Sequence, residues 1–478
     1  MDSESDGKEK ARKFLNNIFS AYMLFMVAAS LLIVILMPYI GRYIAPGFSE
    51  IQLSALTTMS RIMLLSPIFI GLSNLLGTVT QLFKNFLIFS LSPVFYNIGI
   101  LTGIIFLYPV CGVYGLGLGV IIGALLHLLI QVPTVINHGL FPRFTYRIAW
   151  GEVWSVMMLS LPRTLTLSCN SLAFIILIAM ASTLKSGSIS LFTFAYNLQS
   201  VPVGIIGISY SVAAFPILVK SFSAKDMGKF VEQMTQASRQ IIFWSLPVAV
   251  LLVVLRAQIV RVALGSHGFS WSDTRLTAAS VALFILSLAS QGLVLLLVRG
   301  YYATGNTRKP LIINVFSSAM VVVFATLFIH LFKVHPGLLL GIESLLRVSD
   351  VSGTIMLALP LAYALGSLLN FFLLWVYFKR DFLTDTSSKI FRTFIESVTS
   401  AFVIGVVSYF ALDLFDNVFN INTLYGIFMQ GLLAGLVGIS FGIFTLAMLK
   451  NKELEDLLKA LGNKFWRNRV LAPEQKEL

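Results

Sequence analysis

Twelve apolar stretches, each of about 20 or more residues, follow one another along this chain with little between them, and few folds tolerate that. The hydrocarbon core of a bilayer is roughly 30 Å thick, and a helix needs about 20 residues to cross it. The stretches fall at 15–39, 53–82, 87–108, 113–135, 153–183, 189–222, 241–264, 276–302, 310–332, 351–378, 391–412 and 424–449. Of the 478 residues, 57% are hydrophobic and only 12% charged, whereas a soluble domain has roughly a quarter of its residues charged. The fold expected is all-α: a polytopic membrane protein of about 12 transmembrane helices.

The formal net charge of +13 invites a nucleic-acid reading, but the placement of the charges argues against nucleic acid as a partner. Counting cations toward the end of a span with the adjoining loop, 25 of 34 Lys and Arg residues belong to the two termini and every second loop, seven belong to the alternate loops, and two, Arg61 and Arg163, are assigned to span interiors. The rich side carries Lys225, Lys229, Arg308, Lys309, Lys379, Arg380 and a tail with Lys464, Arg467 and Arg469. By the positive-inside rule that side is cytoplasmic. A multi-pass protein of the cytoplasmic membrane with both termini inside is expected, and an even number of spans agrees with it. The tail is suited either to anionic lipid or simply to the topological bias.

Cys111 and Cys169 are far apart in apolar surroundings and indicate packing rather than a disulfide or zinc site. The five histidines are scattered, with no metal-binding spacing. No cofactor or metal is expected. Residues 1–13 are evenly mixed in charge and the apolar run after them is too long for a signal-peptide core, so no cleavable signal is expected.

An internal repeat organises the spans. Ile40 to Ser49 and Ile259 to Ser270 share Ile, Arg, Gly, Phe and Ser in order. Leu56-Thr57 echoes Leu276-Thr277, Asn97 falls near the place of Asn314, and Lys13-Phe14 echoes Lys229-Phe230. The roughly constant offset aligns the first four spans with the seventh to tenth, in the same orientation. Parallel repeats about an axis along the membrane normal are a transporter architecture. Two spans precede the second copy and none precedes the first, so the N-terminal lobe is expected to be two helices short of the C-terminal one. A natural four-plus-six arrangement is the alternative. The domains expected are a cytoplasmic segment 1–14, an N-lobe 15–137, a linker 138–152, a C-lobe 153–380, two additional helices within 381–450 and a basic tail 451–478.

Several stretches then resemble one family: IAPGF at 44–48, SPVFYNIGI at 92–100, GVYGLGLGVIIGALLHLLIQVP at 112–133, LPRTLTL at 161–167, FAYNLQSVPVGIIGIS at 194–209, VAAFPILVKSF at 212–222 and RGYYATGNTRKP at 299–310. They are similar to the MurJ (MviN) family, lipid II flippases of the MOP exporter superfamily, in the right order over nearly the whole chain. The resemblance starts at the family's third helix and implies a two-lobed, MOP/MATE-like bundle with two further helices. It implies transport of lipid-linked peptidoglycan precursor from the inner to the outer leaflet by alternating access between the lobes. The family's cavity is cationic, suiting a pyrophosphate. One cavity arginine would stand where this chain has Asn197, and a sodium-site aspartate of some members falls at about Leu177.

Polar residues inside hydrocarbon usually face the bundle interior or an aqueous cavity. Asn197, Gln199 and Ser200 can each hydrogen-bond a sugar or pyrophosphate oxygen; interhelical polar contacts are the alternative. Pro202, just beyond them, leaves a carbonyl unpaired and favours a bend. Arg163 follows Pro162, a second expected kink, about ten residues into its span. A guanidinium there suits bidentate phosphate binding, and would supply the charge missing at Asn197; snorkelling is the alternative. Arg61 is the weaker headgroup candidate, with snorkelling favoured. Arg299, Arg308 and Lys309 close the eighth span and are read as topology determinants and caps. Gly115, Gly119 and Gly123, spaced by four, let helices approach closely, and a gated hinge is compatible with that packing.

Of the 21 carboxylates, only Glu396 lies within a predicted span, so proton or cation coupling through a buried acid has little support, and the membrane potential is the energy source left available. A flippase for lipid II is the first reading. A flippase for another polyprenyl-linked oligosaccharide, and a flippase-like scaffold that binds cell-wall synthesis proteins, are the alternatives. An enzyme acting on polyprenyl lipids needs positioned acids, bases or a metal, and no such cluster occurs at a shared membrane depth.

Overall fold

A computed structural model describes residues 2–266, 268–382, 387–420 and 423–466; within these, the side chains of 2–6, 159, 162, 163, 166, 167, 169, 387, 388 and 461–466 lie outside the description. Every described element is helical. In chain order they are α1 (Asp2–Ile44), α2 (Glu50–Met63), α3 (Leu65–Leu82), α4 (Phe86–Thr102), α5 (Tyr108–Cys111), α6 (Val113–Leu129), α7 (Val132–Asn137), α8 (Trp150–Ser182), α9 (Ser188–Pro202), α10 (Ser209–Ser223) and α11 (Met227–Val254). They continue as α12 (Arg256–Leu264), α13 (Trp271–Ile285), α14 (Leu288–Ala303), α15 (Arg308–Val334), α16 (Pro336–Leu346), α17 (Ala358–Phe382), α18 (Ser387–Asp416), α19 (Leu424–Met448) and α20 (Lys452–Trp466). π-helical turns join α4 to α5 (Gly103–Leu107) and α9 to α10 (Val203–Ile208), and a 3-10 turn, Thr354–Leu357, leads into α17.

Ten of the twelve expected spans fall on helices that, among the described residues, are long and apolar enough to cross a membrane, and the eighth falls on α13 with α14, bent by 45° at Leu286–Ser287, which makes an eleventh. The predicted fifth span falls on α8, where the described apolar portion is Asn170–Ser182. The bend arises without proline or glycine. Ser287 Oγ donates to Phe284 O at 2.9 Å and Ser290 Oγ to Ser287 O at 2.8 Å, and hydroxyls bonded back to the preceding turn often bend helices.

The chain forms two compact units, Met1–Thr164 and Leu165–Leu478, with the division inside α8. In the first, α6 packs on α4 through its glycines. A Cβ placed on Gly119 would lie 2.5 Å from Gly103 Cα, and one on Gly123 would lie 2.4 Å from Tyr96 O. Gly115 is as tight, 2.4 Å from the Leu107 carbonyl carbon. Lipid tails are as apolar as leucine, so such helices associate by close packing and hydrogen bonds. Ser73 supplies the latter: its hydroxyl meets His127 Nδ1 at 2.6 Å and accepts from Gln131 Nε2 at 2.5 Å. Gly112, at φ +58°, takes the turn from α5 into α6 through backbone space that side chains disfavour.

The expected linker 138–152 is strapped to α1. Asn16 Oδ1 accepts from Arg143 N at 2.7 Å, Ser20 Oγ accepts from Thr145 N at 2.8 Å, and Asn17 Nδ2 donates to Glu152 Oε2 at 3.0 Å.

In the second unit, Phe192, Phe284, Leu177, Leu357 and Leu359 are fully buried in one cluster, and Phe230, Leu296, Tyr301, Leu374 and Phe378 in another. Phe174 and Tyr196 join the first, with ring centroids 4.4 Å apart. α20 is fastened back onto the bundle: Glu453, buried, pairs with Arg239 at 2.5 Å and accepts from Thr393 Oγ1 at 3.0 Å.

The sequence repeat has a structural counterpart. Ser49 and Ser270 each cap a helix with a reciprocal capping box, to Gln52 and Asp273. The repeated arginines lie beside the caps: Arg42 pairs with Glu50 at 3.3 Å, and Arg261 Nη1 donates to Phe269 O at 2.8 Å.

Candidate functional site

The second unit has a half-open cavity of about 290 Å³ whose uncharged wall mixes polar with apolar side chains. Asn170 comes from α8; Tyr196, Gln199 and Ser200 from α9; Gln291 from α14; Ser317 and Ser318 from α15; Tyr363, Ser367 and Asn370 from α17. Val203, Gly204 and Ile208 of the π-turn after Pro202 complete one side.

Gln199 is buried, and its Oε1 accepts from Gln291 Nε2 at 3.2 Å. Gln291 Nε2 also donates to Ser287 Oγ at 2.8 Å, so the amide pair is anchored at the bend between α13 and α14. On the opposite wall Asn370 Nδ2 donates to Asn314 Oδ1 at 2.9 Å, and Ser318 Oγ donates to Asn170 Oδ1 at 3.1 Å. Two buried atoms in this lining, Ser317 Oγ and Asn370 Oδ1, have no hydrogen-bond partner. A buried polar atom left unpaired costs free energy, so these two atoms carry hydrogen-bonding capacity that no protein group among the described residues uses. Amides and hydroxyls both donate and accept, which suits a sugar, a peptide or water.

The three polar residues of α9 part company. Gln199 and Ser200 line the cavity, while Asn197 is exposed and lies outside the lining. At about 100° per residue, positions 197 and 199 sit on nearly opposite faces. Ser200 Oγ is turned partly to its own helix and donates to Asn197 O at 2.7 Å. Pro202 ends α9, and the π-turn begins at the next residue. Gly207 in that turn meets Gly292 of α14 so closely that an added Cβ would lie 2.8 Å from Gly292 Cα.

Arg61, in the first unit, is exposed and donates from Nε to Val34 O of α1 at 3.0 Å. Its charge is thus met by a backbone carbonyl. Arg163 and Pro162 belong to α8, and their side chains lie outside the described residues, as do that of Cys169, His267 and the tail beyond 466. Gly115, Gly119 and Gly123 sit in the α4–α6 crossing described above. Leu177 is fully buried in the apolar cluster with Phe192 and Phe284. A hard cation needs oxygen ligands, so the side chains at that position do not fit a sodium ion.

The sequence points to none of Gln291, Asn370 and Tyr363 as cavity residues and to Asn314 only as a repeat position, although the rule that flags α9, a polar side chain within an apolar run, applies equally to Gln291, Asn314 and Asn370. By sequence Arg299 is a span-closing cation. In the structure its Nη1 donates to Ile208 O at 3.2 Å and to Ser211 Oγ, reaching the end of the π-turn.

Comparison with known proteins gives consistent relatives. The family model for lipid II flippase MurJ matches residues 2–430. A probable lipid II flippase MurJ of Buchnera aphidicola subsp. Acyrthosiphon pisum is 29% identical over 355 residues, 72% of this chain and 68% of that one. Its counterpart from Buchnera aphidicola subsp. Schizaphis graminum is 27% identical over 414 residues, 84% and 76% of the two chains. A solved structure of lipid II flippase MurJ in an inward closed conformation superposes with a TM-score of 0.70 at 21% identity, over 93% of this chain and 86% of the other. That likeness carries the fold.

Proposed function

Because the chain belongs to the lipid II flippase MurJ family, we propose that it carries lipid II, the lipid-linked peptidoglycan precursor, from the inner to the outer leaflet of the bacterial cytoplasmic membrane. The family match over residues 2–430 is the observation that carries this reading. The protein is a transporter with many membrane-spanning helices. Its termini are taken to be cytoplasmic, on the placement of its cations.

Within that function the cavity residues have separable roles. Gln199 and Ser200 contact the saccharide part of the headgroup by hydrogen bonds, without the cost of burying a charge. Arg163 supplies the cationic contact to the pyrophosphate. Asn197 and Arg61 are the weaker contacts, since one lies outside the cavity lining and the other is committed to Val34 O. Transport proceeds by alternating access, with the π-turn after Pro202 as the deformable element of the second unit. π-Bulges recur at functional sites because one extra residue re-aims the following turn.

The driving force proposed is the membrane potential. It contributes about 2.3 kcal/mol per charge per 100 mV and favours outward movement of an anionic headgroup from a negative cytoplasm. Flipping that continues at the same rate after an ionophore collapses the potential contradicts this part. The transport reading itself is tested by adding a lipid II-cleaving enzyme outside cells that have only this chain as their flippase. Cleavage is expected when the chain is present, and lipid II that stays protected overturns the reading.

A further inference from the structure

A furrow runs between α11 and α18, wholly within the second unit. It is first an apolar groove of about 720 Å³ walled by residues such as Val250, Phe402 and Val406, and it continues through Val253, Val254 and Tyr409 into a cavity of about 520 Å³. There the chemistry changes. The second cavity is lined by Arg256, Arg275 and Arg347 and by Asp413 and Asp416. On the orientation given by the cation bias this end is the outer one, the side with only seven of the chain's 34 cations. Three of those seven meet here.

Arg275 is already neutralised, since it grips Asp350 with Nη1 to Oδ2 and Nη2 to Oδ1, both at 2.6 Å. The other two arginines are held by neutral groups: Arg256 Nη1 donates to Val253 O at 2.7 Å, and Arg347 Nη2 donates to the Tyr409 hydroxyl at 3.1 Å. Among the described residues neither forms an ion pair with a carboxylate, and neither Asp413 nor Asp416 pairs with a cation. Asp416 Oδ1 accepts only an amide, Gln430 Nε2, at 3.2 Å. Two guanidinium groups and two carboxylates thus share one cavity without neutralising each other.

We propose that this cavity holds the headgroup of a zwitterionic phospholipid of the outer leaflet, with one acyl chain in the apolar groove. The guanidinium fork matches a phosphate, bidentate where geometry allows, and the carboxylates match an ammonium. The contiguous groove makes the occupant a lipid rather than a free ion. The site uses none of the residues assigned to the transported headgroup, and it stands or falls independently of the flipping reading.

Native mass spectrometry of the full chain in detergent tests it, titrated with dioleoyl-phosphatidylethanolamine, dioleoyl-phosphatidylglycerol and glycerophosphoethanolamine. Losing one charge-assisted contact weakens binding by about tenfold or more. Arg256→Gln and Arg347→Gln are expected to weaken both lipids by that factor. Asp413→Asn with Asp416→Asn is expected to weaken only phosphatidylethanolamine, and the chain-free headgroup is expected to bind far more weakly than the lipid. Arg256→Lys and Arg347→Lys, which keep the charge and lose the fork, serve if the glutamine variants do not fold, and are expected to weaken both lipids to a smaller extent. Equal affinity for the two lipids, unmoved by the aspartate changes, overturns the zwitterion assignment. Binding unchanged in every variant places the lipid elsewhere, and tight binding of the chain-free headgroup makes this a soluble-ligand site; either result overturns the proposal.

Discussion

Gln291 of α14 donates its side-chain amide to Gln199 of α9 at 3.2 Å, and this one bond joins a helix flagged by its sequence to one that was not. Gln291 reaches it from the bend at Ser287. The polar wall of the cavity is therefore attached to the discontinuity in the α13–α14 pair, and a change in that bend must move the wall.

That pairing is measurable as a coupling energy. Hydrogen bonds between membrane helices contribute on average about 0.6 kcal/mol and at most about 1.7. Gln199→Leu and Gln291→Leu are each expected to lower thermal stability, and the double variant to lose less than the sum, with a coupling of about 0.5–1.5 kcal/mol in a double-mutant cycle. Additive losses contradict the contact.

The glycine crossing of the first unit makes a contrast within one helix. Gly119→Leu drives side-chain atoms into Gly103, whose Cα already lies 2.5 Å from an added Cβ, and overpacking of this kind costs about 1–3 kcal/mol. Gly117→Ala meets the tip of Met59 at 3.4 Å and Ile62 Cγ2 at 3.5 Å, both ordinary contacts, and is expected to change stability little. Chromatographic monodispersity and melting temperature of the two variants decide it. Equal behaviour removes close packing as the role of the stripe.

The repeated caps predict matching losses. Ser49→Ala and Ser270→Ala each remove a capping-box acceptor, worth about 1 kcal/mol. Similar drops in melting temperature are expected, with full recovery in Ser49→Asp and Ser270→Asp.

Asp350 gives a pH signature. Its hydrogen bond with Arg275 holds the carboxyl below its usual range. A group whose folded pKa is depressed stabilises the folded protein above its unfolded pKa, and that contribution fades as pH falls through the folded value. Asp350→Asn is thus expected to be less stable than the parent at neutral pH, and the difference is expected to vanish only once pH falls below the depressed folded value, which itself lies under the ordinary 3.8. A difference that persists undiminished in acid contradicts the ion pair as its source.

How far the sequence reaches depends on the feature. Span positions were legible because apolar length is fixed by bilayer thickness. The Gly-Phe-Ser repeat was legible, but the helix-capping role of its serine came only with the structure, because a serine caps a helix only where the backbone turns into one. The α6 stripe was legible because glycines four apart fall on one face. The bend at Ser287 was not, because it rests on hydroxyls bonded back to their own helix, a choice a serine makes only in context. The facing of Asn197 was missed for a related reason: near Pro202 and a π-turn, two residues of separation decide between cavity and exterior. Arg299 looked like an end-of-span cation because its partners, Ile208 O and Ser211 Oγ, lie on another helix.

Movement of lipid II across the membrane by this chain is tested by complementation of a bacterium depleted of its own lipid II flippase, with the unaltered chain and with Arg163→Ala, at matched levels in the membrane. Growth restored by the chain and lost in Arg163→Ala is the result predicted. Lysis in both cultures, with the protein present in the membrane at normal abundance, would contradict it.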